Sequence, residues 1–106
     1  MITEEDINQA YAVLEITRKR LFDAVSEEAG AKSALEASES LAILRGLITG
    51  KNESERKAAR SKVLENEIHA LDFLEETRRG AQYDFQVAES EVERIKLIIR
   101  LLELSR

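Results

Sequence analysis

Proline, cysteine and tryptophan do not occur in these 106 residues, and glycine occurs only four times. Proline and glycine punctuate turns, so a chain with so few of them has few turns. A multi-stranded β domain is excluded on that ground. Without cysteine there is no disulfide framework and no thiolate metal site. Long apolar runs are missing too: none reaches the ~18 residues that span a membrane. Positive charge is not in excess. The formal net charge is −5, whereas a general nucleic-acid binder is usually basic. The opening residues, Met1-Ile2-Thr3-Glu4-Glu5-Asp6, are acidic and lack the basic and apolar parts of a signal peptide. The expectation is a soluble cytoplasmic protein with no membrane contact, for which nucleic acid is a disfavoured partner.

What is present favours helix. Charged residues make up 35% of the chain, and Ala, Glu, Leu, Arg and Lys dominate, as in long helices. The length fits one domain or one elongated helical unit. Thr3 is placed to cap a first helix, and Glu4, Glu5 and Asp6 meet the positive end of its dipole. Ile7, Tyr11, Leu14, Leu21 and Val25 follow at helical spacing, then Ala34, Ala37, Leu41, Leu44 and Ile48 in a second phase. The clearest break is Thr49-Gly50-Lys51-Asn52. Gly50 suits the residue just past a helix end. Asn52 with Glu55 suits a capping box at the next helix start. A second stripe then runs Leu64, Ile68, Leu71, Leu74, Ala81, Phe85, Ala88, Val92, Ile95, Ile99, Leu102, and its later part steps by four and three as a coiled-coil seam does.

The predicted fold is all-α: a long, coiled-coil-like antiparallel hairpin in a single domain, residues 1–106. One helix covers about 4–49, the turn 50–52, and a second helix about 53–104. Gly30 and Gly80 are positions where either arm can bend. Residue i then faces a residue at about 102 − i, which sets Ile7 against Ile95, Leu14 against Ala88, and Arg18 opposite Asp84 as a candidate salt bridge. Near the C-terminus the helix is apolar on a second side, through Leu97, Ile98, Leu101 and Leu104. A helix apolar on two sides wants two neighbours. The expectation is a homo-oligomer, a dimer first, forming a helical bundle through Val92, Ile95, Leu97, Ile98, Leu101, Leu102 and Leu104. The competing arrangement folds the chain back at both glycines into a monomeric bundle.

Candidate chemistry is thin. The segment 50–62 carries Lys51, Arg56, Lys57, Arg60 and Lys62 against Glu53 and Glu55, a basic island on an acidic chain. With the helix start beside it, Lys51, Asn52, Arg56, Lys57 and Arg60 form a candidate anion site. The plain alternative is a solvated tip. Gly46 stands one position off the spacing of a phosphate-binding loop, and no strand precedes it. His69 is the only histidine; Asn66 stands where a Glu-x-x-His di-iron motif needs its Glu, so a surface or rim position is expected. Glu75-Glu76 is followed by Thr77-Arg78-Arg79, which breaks the Glu-Glu-x-x-Glu pattern of helical pyrophosphohydrolases. Neither an enzyme nor a cofactor is expected. Tyr11 and Phe85 are expected in the core. Phe22, Phe73 and Tyr83 fall off the seam, Phe22 and Tyr83 near one another, where they pack between subunits or, with Arg78 and Arg79, stack on a base.

The turn Gly50-Lys51-Asn52-Glu53-Ser54-Glu55-Arg56-Lys57-Ala58 resembles one in small helical-hairpin proteins of bacteriophages and prophages, which carry Gly-Lys-Asn-x-x-Glu-Arg between two long helices. The resemblance covers about nine residues. It implies a phage accessory product working in the host cytoplasm, of a class that binds host proteins or sequesters small nucleotides. It assigns no site. The leading expectation is a non-enzymatic oligomeric protein that occupies a partner; the second is a module that captures an anionic nucleotide at the basic tip or a subunit junction.

Overall fold

The computed structural model describes residues 1–105 and contains three helices: α1 (Glu4–Leu44), α2 (Glu53–Val63) and α3 (Glu65–Leu104). No strand occurs among the described residues. The fold is an all-α antiparallel hairpin. The chain divides into two compact units. The first is Met1–Ala24 with the chain from Arg78 onward; the second is Val25–Thr77.

α1 opens with a reciprocal cap. The Asp6 amide donates to Thr3 Oγ1 at 3.1 Å, and the Thr3 amide donates to Asp6 Oδ2 at 2.9 Å. Two amides that a bare helix end leaves orphaned are thereby answered. The side chains of α1 that turn inward include Ile7, Ala10, Leu14, Thr17, Leu21, Ala24, Glu28, Ala31, Leu35, Ser38 and Ala42. Their steps alternate three and four throughout, a heptad repeat. Every second member (Ala10, Thr17, Ala24, Ala31, Ser38) is small. A small column at seven-residue spacing lets a neighbouring helix approach closely.

In the first unit that neighbour is α3. Ala10, Val92 and Ile95 form its buried core, with Ile2, Ile7, Leu14 and Ile99 against it. Burying Val92 and Ile95 contributes roughly 1.5–3 kcal/mol each. In the second unit the buried side chains are the apolar Leu35, Ala42 and Leu64 and the charged Glu28, and Arg60 Nε on α2 donates to Glu39 Oε1 on α1 at 2.7 Å.

Several expectations are corrected. The first helix ends at Leu44, about five residues early, because Gly46 adopts φ +73°. The Gly46 amide donates to Ile43 O and the Leu47 amide to Ala42 O, at 3.0 and 2.9 Å. This is the paired closure of a Schellman ending, which needs the left-handed conformation that glycine adopts without strain. Gly50 therefore does not end α1. Its place is against the start of α2, where an added Cβ would lie 2.6 Å from Glu55 Cβ and 2.8 Å from the Arg56 amide. The second arm is interrupted at Leu64, which caps α2 with φ −105° and ψ 21°. The chain continues at once, with the Leu64 amide donating to Arg60 O and the Ile68 amide to Leu64 O. Leu64 is buried at that step.

Gly30 and Gly80 lie inside α1 and α3 and break neither helix, which removes the fold-back at those points. Tyr11 is exposed and Ala10 takes its core position. The second phase of α1 is one residue out: Leu35, Ser38 and Ala42 turn inward, while Ala34, Ala37 and Leu41 face solvent. Arg18 pairs with Glu15 on its own helix at 2.8 Å instead of reaching Asp84. The seam position there is Thr17, whose hydroxyl donates to Val13 O at 2.8 Å and Leu14 O at 3.1 Å.

The glycines make a direct test. An added Cβ at Gly30 or Gly80 meets open space, so Gly30→Ala and Gly80→Ala should each stabilise by about 0.5–1 kcal/mol in chemical denaturation. Gly46→Ala should destabilise by about 1 kcal/mol, since its φ is positive.

Candidate functional site

Two surfaces concentrate polar and apolar groups. One is the connection between α1 and α2. Asn52 Oδ1 accepts from the Glu55 amide at 2.9 Å, and Glu55 Oε2 accepts from the Lys51 amide at 2.7 Å. The capping box is present with a shift: the glutamate returns to Lys51 instead of Asn52. Arg56 Nη1 donates to Gly50 O at 3.3 Å. Arg60 turns toward Glu39, away from the tip. Lys51 and Lys57 are exposed. Lys51, Asn52 and Arg56 are thus brought together, but largely to fold the turn, and Arg60 is engaged elsewhere. The start of α2 already has two acceptors of its own, which an incoming anion would have to displace.

The other surface lies wholly in the first unit. Between α1 and α3 runs an open groove of 1210 Å³. Ile2, Ala10 and Val13 line it from α1 and its lead-in. Val87, Ala88, Ile95, Ile98 and Leu102 line it from α3. Asp6 and Arg20 stand along the α1 side, and Asp84, Glu91 and Arg94 along the α3 side. Arg94 and Glu91 make a two-pronged pair, Nε to Oε2 at 3.0 Å and Nη2 to Oε1 at 2.6 Å. That bond holds the Glu91 carboxyl below its ordinary range and raises the Arg94 guanidinium. The Asp6 carboxyl is also held low. The Thr3 amide is the main cause, the Thr3 side chain the next, and the charge of Arg94 a smaller one.

The residues expected to form one interface separate into three settings. Val92 and Ile95 are 4% exposed and belong to the chain's own core. Val92 packs inward against α1, and Ile95 does so while also forming part of the groove's floor. Ile98 and Leu102 open into the groove. Leu97, Leu101 and Leu104 are exposed and lie outside it. The groove's charged members, Asp6, Arg20, Asp84, Glu91 and Arg94, are not marked as a site by the sequence. The available signal is the row flanking the seam at its own seven-residue spacing, Asp6, Val13 and Arg20, in which charged residues stand either side of an apolar one.

Phe22 and Tyr83 remain exposed, at 71% and 66%. Tyr83 lines the groove. Phe73 is exposed in the second unit, and Phe85 is half-buried. His69 is exposed and lies with Glu65 and Lys62 around a shallow hollow. Among the described residues, no group of three or more His, Asp or Glu is arranged to hold a metal ion, and no helix is long and apolar enough to cross a membrane. No protein-family model, curated protein or solved structure matches the chain.

The cap at Thr3 gives a pH signature. The Asp6 carboxyl is lower in the folded chain than its ordinary value of 3.8. Its stabilising effect is therefore complete above that value and disappears as pH falls through the lower folded one. Asp6→Asn should be less stable than the parent at neutral pH, and the difference should vanish in strong acid. Urea unfolding at a series of pH values reads this directly; a difference that persists below the folded value would refute the cap assignment.

Proposed function

We propose that this chain is a non-enzymatic, self-associating helical protein that acts by occupying a partner. The observation that carries the reading is the open apolar surface left on a thin core. No large side chain among the described residues is fully buried. Val13, Val87 and Leu102 nevertheless line an open groove at 43%, 50% and 56% exposure. Contiguous apolar surface rimmed by charge is characteristic of protein–protein contact sites. The turn at residues 50–58 adds the phage-accessory reading, in which the occupied partner is a host protein and the working compartment the host cytoplasm. Nucleotide capture at the basic tip has less support, because Asn52 and Glu55 already engage the turn's amides.

Native mass spectrometry on gently purified protein tests the reading. The expected mass is a multiple of 12.0 kDa, with nothing added. Ile98→Glu combined with Leu102→Glu should shift it to the single-chain mass while helicity is retained. A single-chain mass for the parent at every concentration would overturn the proposal. An extra mass the size of a nucleotide, lost on denaturation, would put ligand capture in its place.

A further inference from the structure

We infer that the groove of the first unit is filled by the same groove of a second copy, with a two-fold axis running along the helices, so that α1 of each chain lies on α3 of the other. This rests on the self-association proposed above and assigns it a surface, a partner and an orientation.

The argument is the sign pattern of the groove's charges. Along α1, Asp6 is followed by Arg20, about four turns later. Along α3, Asp84 is followed, about two to three turns later, by Glu91 and Arg94, which pair with each other. The helices are antiparallel, and Asp6 and Arg94 feel each other's charge. One end of the groove therefore has Asp6 on α1 and, on α3, the Arg94 guanidinium bound to Glu91. The other end has Arg20 on α1 and Asp84 on α3. Among the described residues neither Arg20 nor Asp84 makes an ion pair within its own chain. Rotating a copy by half a turn about an axis along the helices sets Arg20 over Asp84 of the second copy, opposite in sign, and Asp6 over its Arg94–Glu91 pair. Complementary potentials of this kind fix register and orientation.

The apolar residues choose between the two ways of stacking such grooves. A head-to-tail copy also satisfies the charges, with Asp6 over Arg20 and Asp84 over Arg94. It carries the apolar terminal end of one groove over the Arg20–Asp84 end of the other. Ile2, Ile98 and Leu102 then lose the contact with their own counterparts that the parallel axis provides. Burial of apolar area is the larger driving force in association, so the parallel axis is the arrangement the groove fits.

Arg20→Glu and Asp84→Arg test this by sedimentation equilibrium on the full chain. Both positions are exposed, and circular dichroism follows helicity. Each variant alone should associate about tenfold or more weakly than the parent, since both of its cross-chain pairs become like-charged. An equimolar mixture should recover association to near the parent's, because a mixed dimer has two opposite-charged pairs. An effect inside one chain cannot do this: each chain in the mixture still carries its own mismatch. A mixture that stays weak overturns the orientation. Either variant associating as tightly as the parent overturns the groove as the surface, while self-association stands. A parent that is monomeric throughout overturns both. Lost helicity that mixing does not restore also counts against the inference.

Discussion

A two-helix hairpin has one seam, and everything in this chain depends on how that seam is filled. On α1 every second seam position is Ala, Thr or Ser, from Ala10 to Ser38. Small side chains let helices approach, but they bury little area apiece, and at about 25 cal/mol per Å² area is what stabilises. The larger members, such as Ile7 and Leu14, are only half-buried. The result is a core whose most buried members in the first unit are Ala88, Val92 and Ile95. Helices wound on a single seam leave their outer flanks in water, and here those flanks carry Val13, Val87 and Leu102. A second layer is the physical remedy for a hairpin of this build.

A thin core shifts weight to the helix ends. Both ends of α1 and the start of α2 have devices of their own: Thr3 with Asp6, Gly46 with Leu47, Asn52 with Glu55. Such caps are worth about 0.5–2 kcal/mol, a substantial share for a small domain. This bears on the basic tip. A helix start attracts anions only to the extent that its amides are free. Here Asn52 and Glu55, both supplied by the chain, take up amides at the turn, and Arg60 ties α2 to α1 through Glu39. Net positive charge in a sequence segment is therefore a weak guide to a ligand site when the same segment must close a turn.

The sequence was most legible where hydrophobic residues alone build the seam. From Ala81 to Ile99 every expected position turns inward at least in part, because Phe, Val and Ile leave no competing phase. Leu102 departs from that stripe because it lies beyond the N-terminal end of α1, and it opens into the groove. On α1 the pattern was harder to see. Thr17 and Glu28 occupy buried seam positions, and Ala24 stands between them, so the more apolar Tyr11, Val25 and Leu41 drew the stripe off its true line. Ser38, polar by type, hid the inward phase in the same way further along. Thr17 is accepted inside because its hydroxyl returns to the carbonyls of its own helix. The end of α1 was misplaced for a related reason. Gly46 and Gly50 stand four residues apart and only one has positive φ; composition does not say which. The break at Leu64 has neither glycine nor proline to announce it. The groove was the least legible feature, since Asp6, Arg20, Asp84 and Arg94 become a pattern only when two helices are laid antiparallel.

That pattern also reconciles the proposed self-association with acidity. A chain of net charge −5 repels its copies. Repulsion between exposed charges fades beyond a Debye length, about 8 Å at physiological salt, so what matters for close approach is the charge on the contacting face. The groove carries Asp6, Asp84 and Glu91 against Arg20 and Arg94, so the side chains of this face bring a single net negative charge to the contact instead of the chain's five. Its signs alternate instead of segregating. A face with one sign at each end would accept a copy in one sense only, and a face of one sign throughout would accept none. An alternating face is complementary to itself, and with an apolar floor between its ends it combines the two requirements of a homodimer surface: area to bury, and charges that do not oppose burial.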